Sequence, residues 1–201
     1  MKSILDSAQG SLVAGLVLVA IVLVLWMGLA GLDALGFVSF LLRWLHVLGA
    51  MVWVGLIFFV NFIQFAALER ADEAGRSTLA RLVVPKVAAS FRHASHLTVL
   101  SGLLLLVTSG YLLDRIVFTS AVYIPPLRNI LLWGGVAAGL AMWAFVHFLI
   151  WPNLRIVLGE TTPADPAAVG RAREQVRTYA RLNLVLALPV TFVMVAATHL
   201  Y

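Results

Sequence analysis

Five stretches of the chain contain no Asp, Glu, Lys or Arg: Ser7 to Leu32, Trp44 to Leu68, His93 to Leu113, Asn129 to Leu154, and Leu182 to Tyr201. Leu12 to Ala30 is apolar at every position, without the period of two that a half-buried or barrel strand requires. About 20 residues rising about 1.5 Å each cross about 30 Å of hydrocarbon, so each stretch is long enough to span a bilayer as a helix. The pattern predicts an all-α polytopic membrane protein with five transmembrane helices, at about residues 12–32, 38–65, 92–113, 129–151 and 182–200. No repeat of 20 to 50 residues and no long linker interrupts it, so residues 1–201 are expected to form a single transmembrane bundle.

Composition agrees with that pattern. The chain is 62% hydrophobic and 11% charged, more apolar than a soluble domain of this length can bury. Its net charge of +5 would suit nucleic acid, but the basic residues follow the membrane pattern instead. Of the 14 Lys and Arg, only Arg43, Arg115 and Arg128 fall outside the N-terminus and the second and fourth connections. By the positive-inside rule the N-terminus is expected in the cytoplasm and Tyr201 outside. The first apolar run exceeds the 7–15 residues of a signal-peptide core and has no convincing A-x-A site, so it is expected to be retained. Pro163 to Arg181 suits a helix with Arg171, Arg173 and Arg177 toward water or anionic headgroups, and Phe118 to Arg128 suits a short extended stretch at the interface.

The absence of cysteine excludes disulfides, iron–sulfur clusters, thiolate metal sites and covalent c-type haem. Chemistry then falls to the five histidines, His46, His93, His96, His147 and His199, because an ionisable group within lipid needs a compensating partner. His46 stands 18 residues from Gln64 and His199 18 residues from Arg181, about 27 Å from the inner ends of their helices. His96 follows Arg92 by four residues and His147 precedes Trp151 by four, about 6 Å from the inner face. The spacing predicts an outer layer of His46 and His199 and an inner layer of His96 and His147, with His93 one turn nearer the surface. Two such layers are the arrangement expected for one or two b-type haems, with these four histidines as axial ligands. Arg43 and Arg92 stand three or four residues from His46 and His96, placed for haem propionates. Gly49 and Gly55, flanking Trp53, together with Gly102, Gly135 and Gly139, admit either a flat macrocycle or a neighbouring backbone. His93 and His199 suit ligation or a plain interfacial hydrogen bond.

A family resemblance rests on three segments. The first is Phe40-Leu-Leu-Arg-Trp-Leu-His46-Val-Leu-Gly-Ala-Met-Val-Trp53-Val-Gly55. The second is Phe148-Leu-Ile-Trp151-Pro152-Asn153-Leu-Arg155. The third joins Ala167-Ala168-Val-Gly170-Arg171 to Arg181-Leu-Asn183, Leu188-Pro189 and Met194-Val-Ala-Ala-Thr-His199. Together they resemble the integral membrane domain of the bacterial membrane-bound urate oxidase (urate hydroxylase) family. More distantly, they are similar to the haem-binding membrane protoporphyrinogen oxidase and copper-resistance D families. The resemblance implies the bacterial inner (cytoplasmic) membrane and an oxidoreductase component. Urate-family members carry a C-terminal cytochrome c domain, so a chain without cysteine is expected to pass electrons to a separate periplasmic cytochrome c or other redox subunit. Protoporphyrinogen oxidase relatives use a lysine on a later helix, and the fourth helix here has none; His93 and His96 stand where the urate family has aromatic residues. The expected function is a b-type haem protein transferring electrons through the bilayer, with no nucleic-acid partner. The alternatives are a urate-oxidase-like or protoporphyrinogen-oxidase-like enzyme and a non-catalytic subunit of a respiratory or photosynthetic complex.

Overall fold

The structure, a computed structural model, describes residues 4–31, 33–111, 126–161 and 165–199, all helices and short turns without a strand among them. Among the described residues, four helices are long and apolar enough to cross a bilayer: Ala8–Leu29, Ala34–Arg70, Leu127–Val157 and Pro166–His199. The expected third span lies in a further helix whose first half carries Lys86, Arg92, His93, Ser95 and His96, which dilute its hydropathy. The stretch read as extended at Phe118 to Arg128 lies outside the described residues up to position 125, and Pro126 already opens a helix.

Contacts divide the chain into two units, Met1–Phe40 and Leu41–Tyr201. In the first, helix α1 (Ala8–Ala30) starts at Ser7, whose hydroxyl accepts from Gly10 N–H at 3.0 Å. It ends where Gly31 turns left-handed, φ 59°. None of its apolar window is buried, as befits a surface solvated by lipid. Asp33 caps the start of α2 (Ala34–Phe58) by accepting from Gly36 N–H at 2.6 Å.

In the second unit α2 continues through a π turn, Phe59–Gln64, into α3 (Phe65–Arg70). The short amphipathic α4 (Glu73–Leu82), capped by Asp72, leads to α5 (Val84–Thr108). Then come α6 (Pro126–Ala144), a second π turn at Phe145–Ile150, α7 (Trp151–Val157), and α8 (Pro166–His199). The stretch read as a separate inner-loop helix is the first part of α8. Three ties hold that extension in line. Arg177 pairs with Glu69 at 2.5 Å, Gln175 accepts from Asn153 at 2.8 Å, and Ala180 O accepts from Asn61 at 3.2 Å.

These pairings also set the packing directions. Asn153 meets Gln175 while Arg128 meets Ala197, so α6–α7 and α8 run antiparallel. His46 meets Thr98 while Trp53 meets Phe91, so α2 and α5 do too. The buried centre draws Trp53 and Ile57 from α2, Phe91 and Ala94 from α5, Met142 from α6, Val146 from the second π turn, and Ala187 from α8.

Between apolar helices in lipid, close approach through small residues does the work that water expulsion does in soluble cores. At Gly49 an added Cβ would stand 2.8 Å from Thr98 Oγ1 and 3.1 Å from the Thr98 main-chain nitrogen. At Gly139 and Gly55 it would meet nothing within 4 Å, so of the small pair expected at Gly135 and Gly139 only Gly135 packs. Gly49→Ala is expected to destabilise the fold by about 1–3 kcal/mol through overpacking. Gly139→Ala is expected not to lower the midpoint at all, since alanine suits a helix better. Thermal unfolding followed by size exclusion in detergent compares the two.

Candidate functional site

The two π turns explain one another. Their sequences are Phe-Val-Asn-Phe-Ile-Gln and Phe-Val-His-Phe-Leu-Ile, with Asn61 and His147 at the same third position. In both, the residue after the turn donates five positions back, Phe65 to Val60 O and Trp151 to Val146 O. A widened turn strands a carbonyl that would otherwise accept from four residues on. The third residue's side chain answers it: Asn61 Nδ2 donates to Ile57 O at 2.9 Å, and His147 Nδ1 donates to Trp143 O at 2.9 Å. The same Phe-Val-x-Phe pattern at residues 37–40 lies in regular α-helix, so the pattern alone does not mark a π turn.

That bond fixes the chemistry of His147. A carbonyl can only accept, so Nδ1 holds a proton, and in the neutral ring Nε2 presents a bare lone pair. Nε2 is buried and has no partner. His46 is held the same way, its Nδ1 donating to Thr98 O at 2.8 Å. Its ring packs against α5 at Gly102, where an added Cβ would come 2.7 Å from Cε1 and 2.8 Å from Nδ1. Imidazoles that bind metals usually donate their second ring nitrogen to a carbonyl or carboxylate in this manner.

His96 is different. Trp143 Nε1–H donates to its Nδ1 at 3.2 Å, so in the neutral ring the proton is on Nε2. Trp143 thus supports both rings, one through its carbonyl and one through its indole. The centroids of His96 and His147 are 4.1 Å apart with planes tilted by 49°. A metal bonded by an imidazole on each side needs about 2 Å per bond plus the body of both rings. The facing pair expected around an inner haem is instead two rings in contact.

The remaining expected residues scatter. His93 is exposed on α5. His199 is exposed at the end of α8, its Nδ1 bonded within its own turn to Val195 O at 3.1 Å and Thr198 Oγ1 at 2.8 Å. No contact joins it to His46 among the described residues. Arg43 is exposed on α2. Arg92 is half-buried, its guanidinium 4.1 Å over the Trp151 ring and its Nε without a partner. The two separate layers are also drawn together, because His46 meets Thr98, two residues from His96. The reason is that α5 begins at Val84, eight residues before the expected start, which places His96 mid-helix about 18 Å from its first residue.

Sequence reasoning gave no site role to Trp143, Asn61 or Asn183, the last quoted only within a resemblance motif. Asn183 is 0% exposed, and neither its Nδ2 nor its Oδ1 has a partner. Asn61 bridges α2 and α8 through Ile57 O and Ala180 O. Asn61→Leu strips two carbonyls of their donor inside hydrocarbon, at about 1–3 kcal/mol each. The variant is expected to lose about 5–15 °C in unfolding midpoint, read by thermal aggregation in detergent.

Fold and site define the class: an all-helical, multi-pass membrane protein, with half-buried histidines held by main-chain carbonyls where its helices pack. Comparison with family models, curated proteins and solved structures finds no match to this chain. Among the described residues, no three His, Cys, Asp or Glu side chains gather as they would around a bare metal ion.

Proposed function

We propose that this chain is a b-type haem protein that carries electrons within the bacterial cytoplasmic membrane. The observation that carries the reading is the shared state of His46 and His147, each with Nδ1–H given to a main-chain carbonyl and Nε2 left as an unprotonated donor. For His147 that donor is buried and unpaired, a position costing about 1–3 kcal/mol that ligation would relieve. Taken singly the two rings fit a haem; His96 facing His147 does not. When bound, the haem would supply one-electron chemistry, and the axial imidazoles would set its potential. The chain's own part is to fix the two tautomers, exclude water from His147, and hold Trp143 against His96. Electrons would leave to a separate acceptor such as a periplasmic cytochrome c. Titrating haemin into the purified apoprotein tests the reading: a Soret band saturating at one or two equivalents is expected, and haemin that only partitions into detergent overturns it.

The reading includes five spans, with α5 as the third, the N-terminus inside and the C-terminus outside. The charge asymmetry supports it, and α5 at 25 residues is long enough. Because the chain has no cysteine, single cysteines report topology directly. Ser77→Cys should react with an impermeant maleimide only in inside-out vesicles and Ser120→Cys only in right-side-out cells. Labelling of both from one side contradicts the five-span arrangement.

A further inference from the structure

A cavity of about 700 Å³ opens among α3, α4, α5, α7, α8 and the two π turns, within the size range of small-molecule sites. Its lining is of two kinds. Six charged side chains reach it, Glu69, Glu73, Arg76, Arg92, Arg173 and Arg177, and beside them stand apolar residues that include the buried Val84, Phe91 and Leu154. The charges do not cancel. Glu69 is engaged by Arg177 at 2.5 Å, which leaves three guanidiniums against the single carboxylate of Glu73. Arg76 turns back on the end of α3, its Nε donating to Leu68 O at 3.1 Å and its Nη2 to Ala71 O at 3.3 Å, carbonyls that leave its charge unneutralised. Arg173 is exposed on α8 and has no hydrogen bond or ion pair among the described residues. Arg92 is half-buried, with its guanidinium 4.1 Å over the Trp151 ring and no ion pair. Only its Nε is shut off from solvent; its terminal nitrogens are open and unbonded. A cation held between helices without a counter-ion costs free energy that a bound anion would offset.

Guanidiniums from α4, α5 and α8 therefore converge on one cavity, and their excess charge favours an anionic head group over a neutral one. A phosphate suits several planar forks better than a carboxylate does, because it offers more acceptor oxygens. Basic pockets between transmembrane helices are recurrent seats for anionic lipid heads. The apolar part of the lining matches what free phosphate lacks, a hydrocarbon chain. We infer that this cavity seats an anionic phospholipid, its phosphate at Arg92 and Arg173 within the field of Arg76, and an acyl chain against Val84, Phe91 and Leu154. A lipid held in this way bridges α5 and α8. The site stands independently of haem, because every group that defines it belongs to the apoprotein.

The test uses the full chain without haem, released into native mass spectrometry from nanodiscs of phosphatidylcholine and phosphatidylglycerol with matched acyl chains. A phosphatidylglycerol is expected to stay bound under activation that strips phosphatidylcholine. Arg173→Gln should weaken that retention about fivefold, the contribution of one arginine to holding an anionic head. Arg171→Gln removes the same charge from the same helix outside the cavity and should leave retention unchanged. Val87→Trp, which fills the cavity, should abolish retention while elution and helicity stay unchanged; if that variant does not fold, the two exposed arginines still decide. Equal retention of the two lipids overturns the inference. So does an equal loss in Arg173→Gln and Arg171→Gln, which would reduce the effect to general surface charge. Inorganic phosphate raising the thermal midpoint as far as phosphatidylglycerol does would also overturn it, since the site would need no chain, and so would oleate retained in place of phosphatidylglycerol, which would make it a carboxylate site.

Discussion

Replacing His147 with alanine is expected to remove most of the haem this chain binds, reducing haemin stoichiometry by about one equivalent or abolishing binding if one haem is held. The expectation follows from a single bond. With Nδ1–H committed to Trp143 O at 2.9 Å, the lone pair of Nε2 has no protein partner. Alanine deletes that donor and strands the Trp143 carbonyl, so a loss of haem alone would not separate ligation from folding. Exogenous imidazole does separate them, because it refills a missing ligand but cannot restore a lost fold. Haem binding by His147→Ala should return in millimolar imidazole. Trp143→Phe keeps the carbonyl and removes only the indole donor to His96 at 3.2 Å. It should retain haem with a shifted band, the lesser effect of an outer-shell change. Full haem content in His147→Ala would remove His147 from the account.

Gly102→Val should disable the other histidine without touching it. A Cβ there would stand 2.7 Å from His46 Cε1 and 2.8 Å from its Nδ1, closer than real Cβ contacts come. The imidazole must swing off α5 and give up Thr98 O, which frees its tautomer as well as its direction. Loss of such an orienting bond typically weakens metal binding 10–100-fold. Haem affinity at the His46 site should fall by about that factor, while His147-dependent binding persists. Gly139→Ala, with open space at its Cβ, is the matched control and should leave the spectrum unchanged. Equal effects from the two glycine variants would mean that His46 is not held for ligation.

The helical character of the chain was legible because lipid leaves few options for an apolar run such as Leu12 to Ala30: its main-chain groups must bond internally. Helix ends were harder. Charge marked Arg92 and Leu182 as starts, yet α5 begins at Val84 and α8 at Pro166, because helices run past the hydrocarbon when other helices hold them. With α5 starting at Val84 and α7 running on to Val157, His96 and His147 stand mid-helix instead of near an inner end, which draws the two expected histidine layers together. His46 and His147 were legible as polar residues inside apolar windows. Their tautomers were not, since those depend on Thr98 O and Trp143 O, carbonyls positioned by packing and by a π turn. Likewise Asn183 reads as a polar residue near a helix start until α8 is seen to extend past it and bury it completely.

The most direct measurement is the dithionite-reduced minus ferricyanide-oxidised absorption spectrum of the full chain purified from haem-replete cells, with pyridine haemochrome analysis for stoichiometry. The account predicts sharp b-type α and Soret bands at one or two haems per 21.8 kDa chain. A purified, folded chain with no reducible haem band, and none after haemin is added back, would contradict it.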